Sequence, residues 1–356
     1  MVNPPDPAGF RAHRFRPFWT GRRYFGNGAL GRGHNEPVSG NLSSATDSQL
    51  IAQVQRLLDS GSLLVQETEL DEATFAQLGF DVAGGVVRVP ADVEALSEVK
   101  IRQALSRKAS AWLVELTVHP VIASTNTALM DRAQRESVAG VVKLAELQVQ
   151  GRGRRGRRWL SPFARNLALS MGVWVPQPPA ELGGFSLLIG LAVLDLLRSH
   201  GIAELELKWP NDVLLDGKKL AGTLVELVPR DRGTELVVGL GLNMQLSDAV
   251  RLDIDQPVTD LRQAAVQVGR NELIAGLLSS IVDYVEGFGQ TGFAPMRTTF
   301  DENHRFHGRA CRVLQGTLEN HGVVLGVTPR GELLLDTAQG PQAFSAGEVS
   351  LRAGDA

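Results

Sequence analysis

Residues 151–158 read GRGRRGRR, five guanidiniums and three glycines in eight consecutive positions, with Trp159 close behind. A guanidinium is planar, permanently cationic and matched to the oxygens of carboxylates and phosphates, while glycine lets the backbone approach a ligand closely. Unliganded, such a loop repels itself. A polyanion neutralises it and lets Trp159 settle as an apolar lid. The stretch is too rich in glycine for a stable helix and too charged for a core strand. Taken alone, it reads as a solvated basic turn or a nucleic-acid patch. A second polar stretch, KWPNDVLLDGKKLAGTLVEL at 208–227, places Asn211 and Asp212 after Pro210, where turn chemistry accounts for them. By itself Lys219 is a strand-start surface lysine, and Gln148 an exposed strand glutamine just ahead of the arginine loop. Ser124 precedes TNTALMDRA and is a natural helix N-cap.

The elements that must carry these groups follow from periodicity. Residues 95–300 alternate β-branched runs with amphipathic stretches, the mark of a mixed α/β domain. Strands are expected at 112–122, 141–149, 167–175, 204–209, 220–228 and 234–244, several of them consecutive, so the sheet should be largely antiparallel. Helices are expected at 125–135, 182–200, 258–268 and 271–288. Before this region, Leu50, Ile51, Val54, Leu57 and Leu58 share one helical face that Gly61 should end, with a short helix in 71–80 and a strand in 84–90. Residues 47–81 hold one arginine, Arg56, against seven acids, which a phosphate backbone would repel. After position 306, short glycine-punctuated strands predict a small β-barrel.

Composition sets the outer bounds. The 356 residues carry a formal net charge of −3 and one cysteine, Cys311, which excludes an internal disulfide and any multi-cysteine metal site. The longest apolar run, 185–197, falls short of the roughly 20 residues of a membrane span. With no apolar leader at the start, a cytoplasmic location is expected. Residues 1–45 hold six arginines, two acids and scattered aromatics with no apolar period, and read as a disordered basic tail.

Taken together, GRGRRGRRWLSP and KWPND…KKLAG…VEL resemble the bacterial biotin protein ligases. The resemblance runs from ASTN at 123–126 through GLGLNM at 239–244 to GEVSLR at 347–352, about two thirds of the chain. It implies an α/β (α+β) fold with a central mixed, largely antiparallel sheet of the class II synthetase-like biotin/lipoate ligase type. A small C-terminal SH3-like β-barrel and a short N-terminal helical head should accompany it. The implied domains are a tail at 1–45, a degenerate winged-helix-like head at 46–95, a catalytic domain at 96–304 and the barrel at 305–356.

The implied reaction joins biotin to ATP as biotinyl-5′-adenylate with loss of pyrophosphate, then passes the biotinyl group to a lysine of a biotin carboxyl carrier protein of acetyl-CoA carboxylase or a related carboxylase. Its first step presses a carboxylate against a polyphosphate, which calls for positive charge, and its product is a mixed anhydride that water would destroy. By resemblance, Lys219 and Arg154 are catalytic. Ser124, Thr125, Asn126, Gln148, Gly151, Arg152 and Gly153, with Arg154 and Lys219, hold biotin. Arg157, Trp159, Asn211, Asp212 and Asn243 face ATP, and Asp212 faces its Mg2+. Some relatives stack adenine on a tryptophan near 256–260; this chain has none after Trp209, so adenine should pack on an aliphatic group such as Val258. The acidic head argues against DNA binding. A ligand-linked homodimer is expected, and no membrane contact. The rival readings are a lipoate or octanoate ligase of the same fold, a biotin-responsive transcriptional repressor, and an RNA-binding patch fed by the basic tail.

Overall fold

A computed structural model describes residues 47–264, 268–315, 318–345 and 349–353. The expected tail at 1–45 lies outside the described residues.

The first elements are α1 (Asp47–Ser60), β1 (Ser62–Leu64), α2 (Glu72–Gln77), β2 (Asp81–Ala83) and β3 (Val86–Arg88), with the strands ordered β1-β3-β2 in an antiparallel sheet. Leu50, Val54 and Leu57 bury the predicted face of α1, and Gly61, at φ 75°, stops it by taking a left-handed turn. This small layer is too thin to enclose its own core. Its Val54, Phe75, Phe80 and Val87 pack with Leu147, Val149, Phe163 and Ala164, residues on either side of the arginine loop. Phe80 stacks on Phe163 at 5.0 Å, and Phe163 N donates to Leu78 O at 2.7 Å. Pro90 and the residues after it run as a strap along the next layer. Arg165 donates twice to Asp92, at 3.0 and 2.9 Å, and Arg270 meets Glu146 at 2.6 Å in a buried pair beneath Glu94 and Leu96.

Two short helices, α3 (Glu98–Ala104) and α4 (Arg107–Trp112), each begin on a capping serine, Ser97 and Ser106. There follow β4 (Glu115–His119), α5 (Thr125–Ala133), β5 (Val141–Ala145), β6 (Asn166–Val175), α6 (Phe185–Ser199), β7 (Leu205–Lys208), β8 (Asp212–Leu215), β9 (Lys218–Arg230) and β10 (Gly233–Asn243). The seven strands form one sheet in the order β4-β5-β6-β10-β9-β8-β7, antiparallel except for β4 against β5. The long helices α6 and α8 (Arg270–Thr291) cover one face with a continuous apolar core. On the opposite face α5 covers only part, leaving the glycine-rich middle of β9 and β10 for the loops.

Between β10 and α8 lies α7 (Asp248–Leu252); after α8 come α9 (Arg297–Asn303), β11 (Ala310–Gln315), β12 (Leu318–Val327), β13 (Leu333–Thr337), β14 (Gly340–Phe344) and β15 (Val349–Ala353). These strands form a five-stranded antiparallel sheet, β14-β13-β12-β11-β15. It is tied to the central layer by Trp209 Nε1, which donates to Gly331 O at 3.1 Å, and by Val327 N, which donates to Asp301 at 2.9 Å.

Three expectations need correction. No helix forms over the described part of 258–268. Thr259 N pairs with Lys219 O at 3.0 Å, and the Asp260 carboxylate accepts from Leu246 N and Gln263 N at 2.7 and 3.0 Å, holding the backbone in a turn. The strand expected at 112–122 is only Glu115–His119, because Ser106 starts a helix that runs to Trp112. The strand expected at 141–149 ends at Ala145, where the chain turns toward the arginine loop.

Candidate active site

At the start of α5, Ser124 Oγ accepts from Thr127 N at 3.3 Å, the expected N-cap. Ser124, Thr125 and Asn126 are nonetheless all buried, which a capping role alone does not require. Gln148 is buried too, held outside any named strand between backbone bridges to Ile122 and Ser161. Its Oε1 accepts from Thr125 N at 2.8 Å and from Thr125 Oγ1 at 3.0 Å. Four of the predicted biotin contacts are therefore one polar cluster in an otherwise apolar layer.

The floor beside them is glycine for a steric reason. A Cβ at Gly239 would lie 2.6 Å from Asn126 Oδ1, and one at Gly241 would lie 2.2 Å from the Trp159 ring. Trp159 thus lies against the strand itself, with its N donating to Gly151 O at 2.8 Å. Its Nε1 is a buried donor with no protein acceptor among the described residues, the condition of a group that a ligand oxygen would satisfy.

One irregularity selects the lysine. Opposite β8, Asp212 pairs with Gly222 and Val213 with Ala221, but Leu214 pairs with Lys219, so Leu220 is an extra residue in β9. A β-bulge re-aims the side chains that follow it. Here it returns Lys219 to the face of Gly222 and Asp212, while Lys218 points outward and is exposed. Lys219 Nζ lies 2.8 Å from Asp212 Oδ1 and 5.5 Å from the centre of the Trp159 ring. The backbone of Lys219 also pairs with 257–259, which sets Val258 beside it.

The arginine loop spans the gap. Its stems meet in a bridge between Arg152 and Arg158, and Gly153 N donates to Arg157 O at 2.8 Å. Arg155 sits at φ 60° and Gly156 at φ 72°, so the tip turns left-handed. Arg154 Nη1 donates to Asn211 Oδ1 at 3.1 Å, and Asn211 Nδ2 donates to Thr223 O at 2.8 Å. Burial draws the Arg154 guanidinium below its ordinary value against the opposing pull of Asp212; it stays cationic at physiological pH.

The fold therefore brings Ser124, Thr125, Asn126, Gln148, Gly151, Arg152, Arg154, Trp159, Asn211, Asp212 and Lys219 to one face. Arg157 is exposed on the loop's outer side. Asn243 is buried, and its Nδ2 donates to Thr259 O at 3.0 Å, which fastens the 257–261 segment to the end of β10. Sequence reasoning passed over Glu226 and Ser170. Ser170 Oγ donates to Asn126 Oδ1 at 3.1 Å, Asn126 Nδ2 donates to Glu226, and Arg152 Nη2 donates to Glu226 Oε1 at 3.1 Å. The available signal was a carboxylate inside the apolar run LAGTLVELV. Among the described residues no group of three or more His, Cys, Asp or Glu could hold a metal. One carboxylate and one amide, Asp212 and Asn211, do suit a magnesium ion that arrives with phosphates and keeps its other ligands.

Comparison with known proteins bears on this face directly. The model of the biotin/lipoate A/B protein ligase family matches residues 118–243, and that of the biotin protein ligase C terminal domain matches residues 306–352. The bifunctional ligase/repressor BirA of Escherichia coli is 35% identical over 277 residues, 78% of this chain and 84% of that protein. The biotin–acetyl-CoA-carboxylase ligase of Mycobacterium tuberculosis is 33% identical over 261 residues, 71% of this chain and 95% of that one. Among solved structures, the biotin protein ligase from Aquifex aeolicus in complex with biotin and ATP matches with a TM-score of 0.57 and 26% identity, over 67% of this chain and 99% of that one.

Proposed function

The chain belongs to the biotin protein ligase family, and from that premise we propose how its residues divide the work of an enzyme that takes biotin and ATP and modifies a carboxylase carrier protein. The buried Ser124–Thr125–Asn126 turn and Gln148 hold the ureido ring of biotin, and the glycine floor of β9 and β10 takes its flat body. Lys219 neutralises the biotin carboxylate and the α-phosphate as the carboxylate oxygen attacks phosphorus and pyrophosphate leaves. Asp212 keeps that lysine in place, and Arg154, held by Asn211, faces the phosphate of the adenylate and keeps the product bound. Gly151, Arg152 and Gly153 close over the product with Trp159 beneath them, so that the carrier lysine reaches the acyl carbon before water does and AMP departs. Arg157 meets the outer phosphates, Val258 takes the adenine, and Asn243 acts through the 257–261 segment. Asp212, with Asn211 beside it, would hold the Mg2+ that accompanies ATP, and the ion would supply charge to offset the phosphates.

The observation that carries this reading is Lys219 turned by a bulge onto Asp212 beneath the arginine loop, since no role on a surface strand calls for it. Mixing the protein with biotin, magnesium ATP and a carboxylase carrier domain should add one biotinyl mass to the carrier, and lipoate in place of biotin should add none. No mass increase with biotin would overturn the reading.

We also propose the domain limits 46–95, 96–304 and 305–356, and a homodimer linked to adenylate binding; sedimentation that stays monomeric with saturating biotin and ATP counts against the dimer. Repression belongs to the names of some relatives. Here the second helix of the head, α2, has six residues and 47–81 is acidic, which supports a ligase without that role. No helix among the described residues is long and apolar enough to cross a membrane.

A further inference from the structure

We propose that Glu226 is a positioning residue that joins the biotin-ring pocket to the arginine loop, so that the loop is held shut by the same carboxylate that orients Asn126. This rests on the reading of the site given above. Glu226 lies on the site face of β9, four residues beyond Gly222. Its Oε2 accepts from Asn126 Nδ2 and lies 3.5 Å from Arg152 Nη1, while its Oε1 takes Arg152 Nη2 at 3.1 Å. Arg152 Nη1 also donates to Thr127 Oγ1 at 3.3 Å, so the same guanidinium touches both β9 and the first turn of α5.

The chain of contacts continues inward. Asn126 Oδ1 accepts from Ser170, whose oxygen is 2.8 Å from that of Thr125. With the Ser170 proton committed to Asn126, the single Thr125 proton is shared between Ser170 Oγ and Gln148 Oε1. Thr125 in turn contacts Gln148. Five consecutive polar contacts thus connect Gln148, at the base of the arginine loop, to Arg152, inside it. A ring bound at Thr125 and Gln148 biases the proton directions of this chain, and its far end is the ion pair that shuts the loop. Glu226 has the chemistry for the junction. A carboxylate accepts from an amide and a guanidinium at once, and its charge opposes the self-repulsion of a loop with five arginines.

Glu226→Gln separates the two duties, since glutamine still offers Asn126 an oxygen but no charge to Arg152. In full-length protein, single-turnover formation of the adenylate should stay within about threefold of wild type, while its release should quicken about fivefold, the scale of a half-exposed ion pair. Arg152→Gln should quicken release at least as much, and adding Glu226→Gln to it should change release little further, because both remove the same contact. Glu226→Asp should recover part of the retention, and thermal melting of the Glu226 variants should match wild type. Additive effects of the two substitutions, or release that tracks a lowered melting temperature, would assign Glu226 to the fold alone. Wild-type protein that makes no adenylate would remove the reading of the whole site, whereas wild-type activity with unchanged release from Glu226→Gln would remove this inference only.

Discussion

At the scale of single residues, the site turns on which of two adjacent lysines faces the ligands. Lys219→Ala should lower adenylate formation roughly a hundredfold or more, the usual loss when a preorganised charge is taken from a transition state. Lys218→Ala, on the solvent side, should stay within about twofold, since surface changes away from special contacts are nearly neutral. Single-turnover assays with labelled ATP check both, and equal losses would mean that the bulge does not select the lysine. Arg154→Gly should instead show itself as free adenylate leaking into solution. Much of this was legible in residue types: clustered guanidiniums announce an anion, and Gln148 and Ser124–Asn126 stand at the loop's base and at a helix start. Bare spacing could not separate Lys218 from Lys219. A single inserted residue leaves no mark on composition, and only pairing across to β8 exposes it.

At the scale of elements, long apolar periods announced α6, α8, β6 and β10 because nothing local competes with their burial. The helix expected at 258–268 failed because Asp260 satisfies nearby backbone donors with its own carboxylate, a choice that depends on a distant residue, Leu246. α3 and α4 went unread because each is barely two turns long. The junction after α9 carries a testable element of its own. His304 stacks on Phe300 at 5.3 Å and meets the edge of Phe306, and burial holds its imidazole down at about 3, with His307 and Lys208 adding to the effect. Between its ordinary value of 6.5 and about 3 the unfolded chain takes up a proton that the folded chain refuses, so stability falls as pH falls through that window. The slope from this one site is about 1.4 kcal/mol per pH unit. His304→Phe should remove it. Asp301, raised chiefly by burial, works in the opposite direction, so the quantity to compare is the difference between wild-type and variant urea midpoints from pH 7 to 5. Parallel curves would show that His304 takes up its proton while folded.

At the scale of the whole molecule, the first 42 described residues share their core with the two stems of the arginine loop. Phe80→Ala should therefore cost about 3–5 kcal/mol locally, the range for deleting a buried ring. It should also raise the KM for biotin, although Phe80 lies among none of the proposed ligand contacts. Circular dichroism melting together with initial rates tests this, and a destabilised head with an unchanged KM would uncouple the two layers. Composition gave no hint of this shared core, since Leu147, Val149 and Phe163 read as ordinary interior positions until a partner surface is in view. The same wedge of apolar rings has a consequence for the covalent chain. A backbone nick between Arg88 and Pro90 would leave two complementary oily faces, and the pieces should find each other again and behave as a reconstituted heterodimer whose catalytic half is competent only while its small companion is bound.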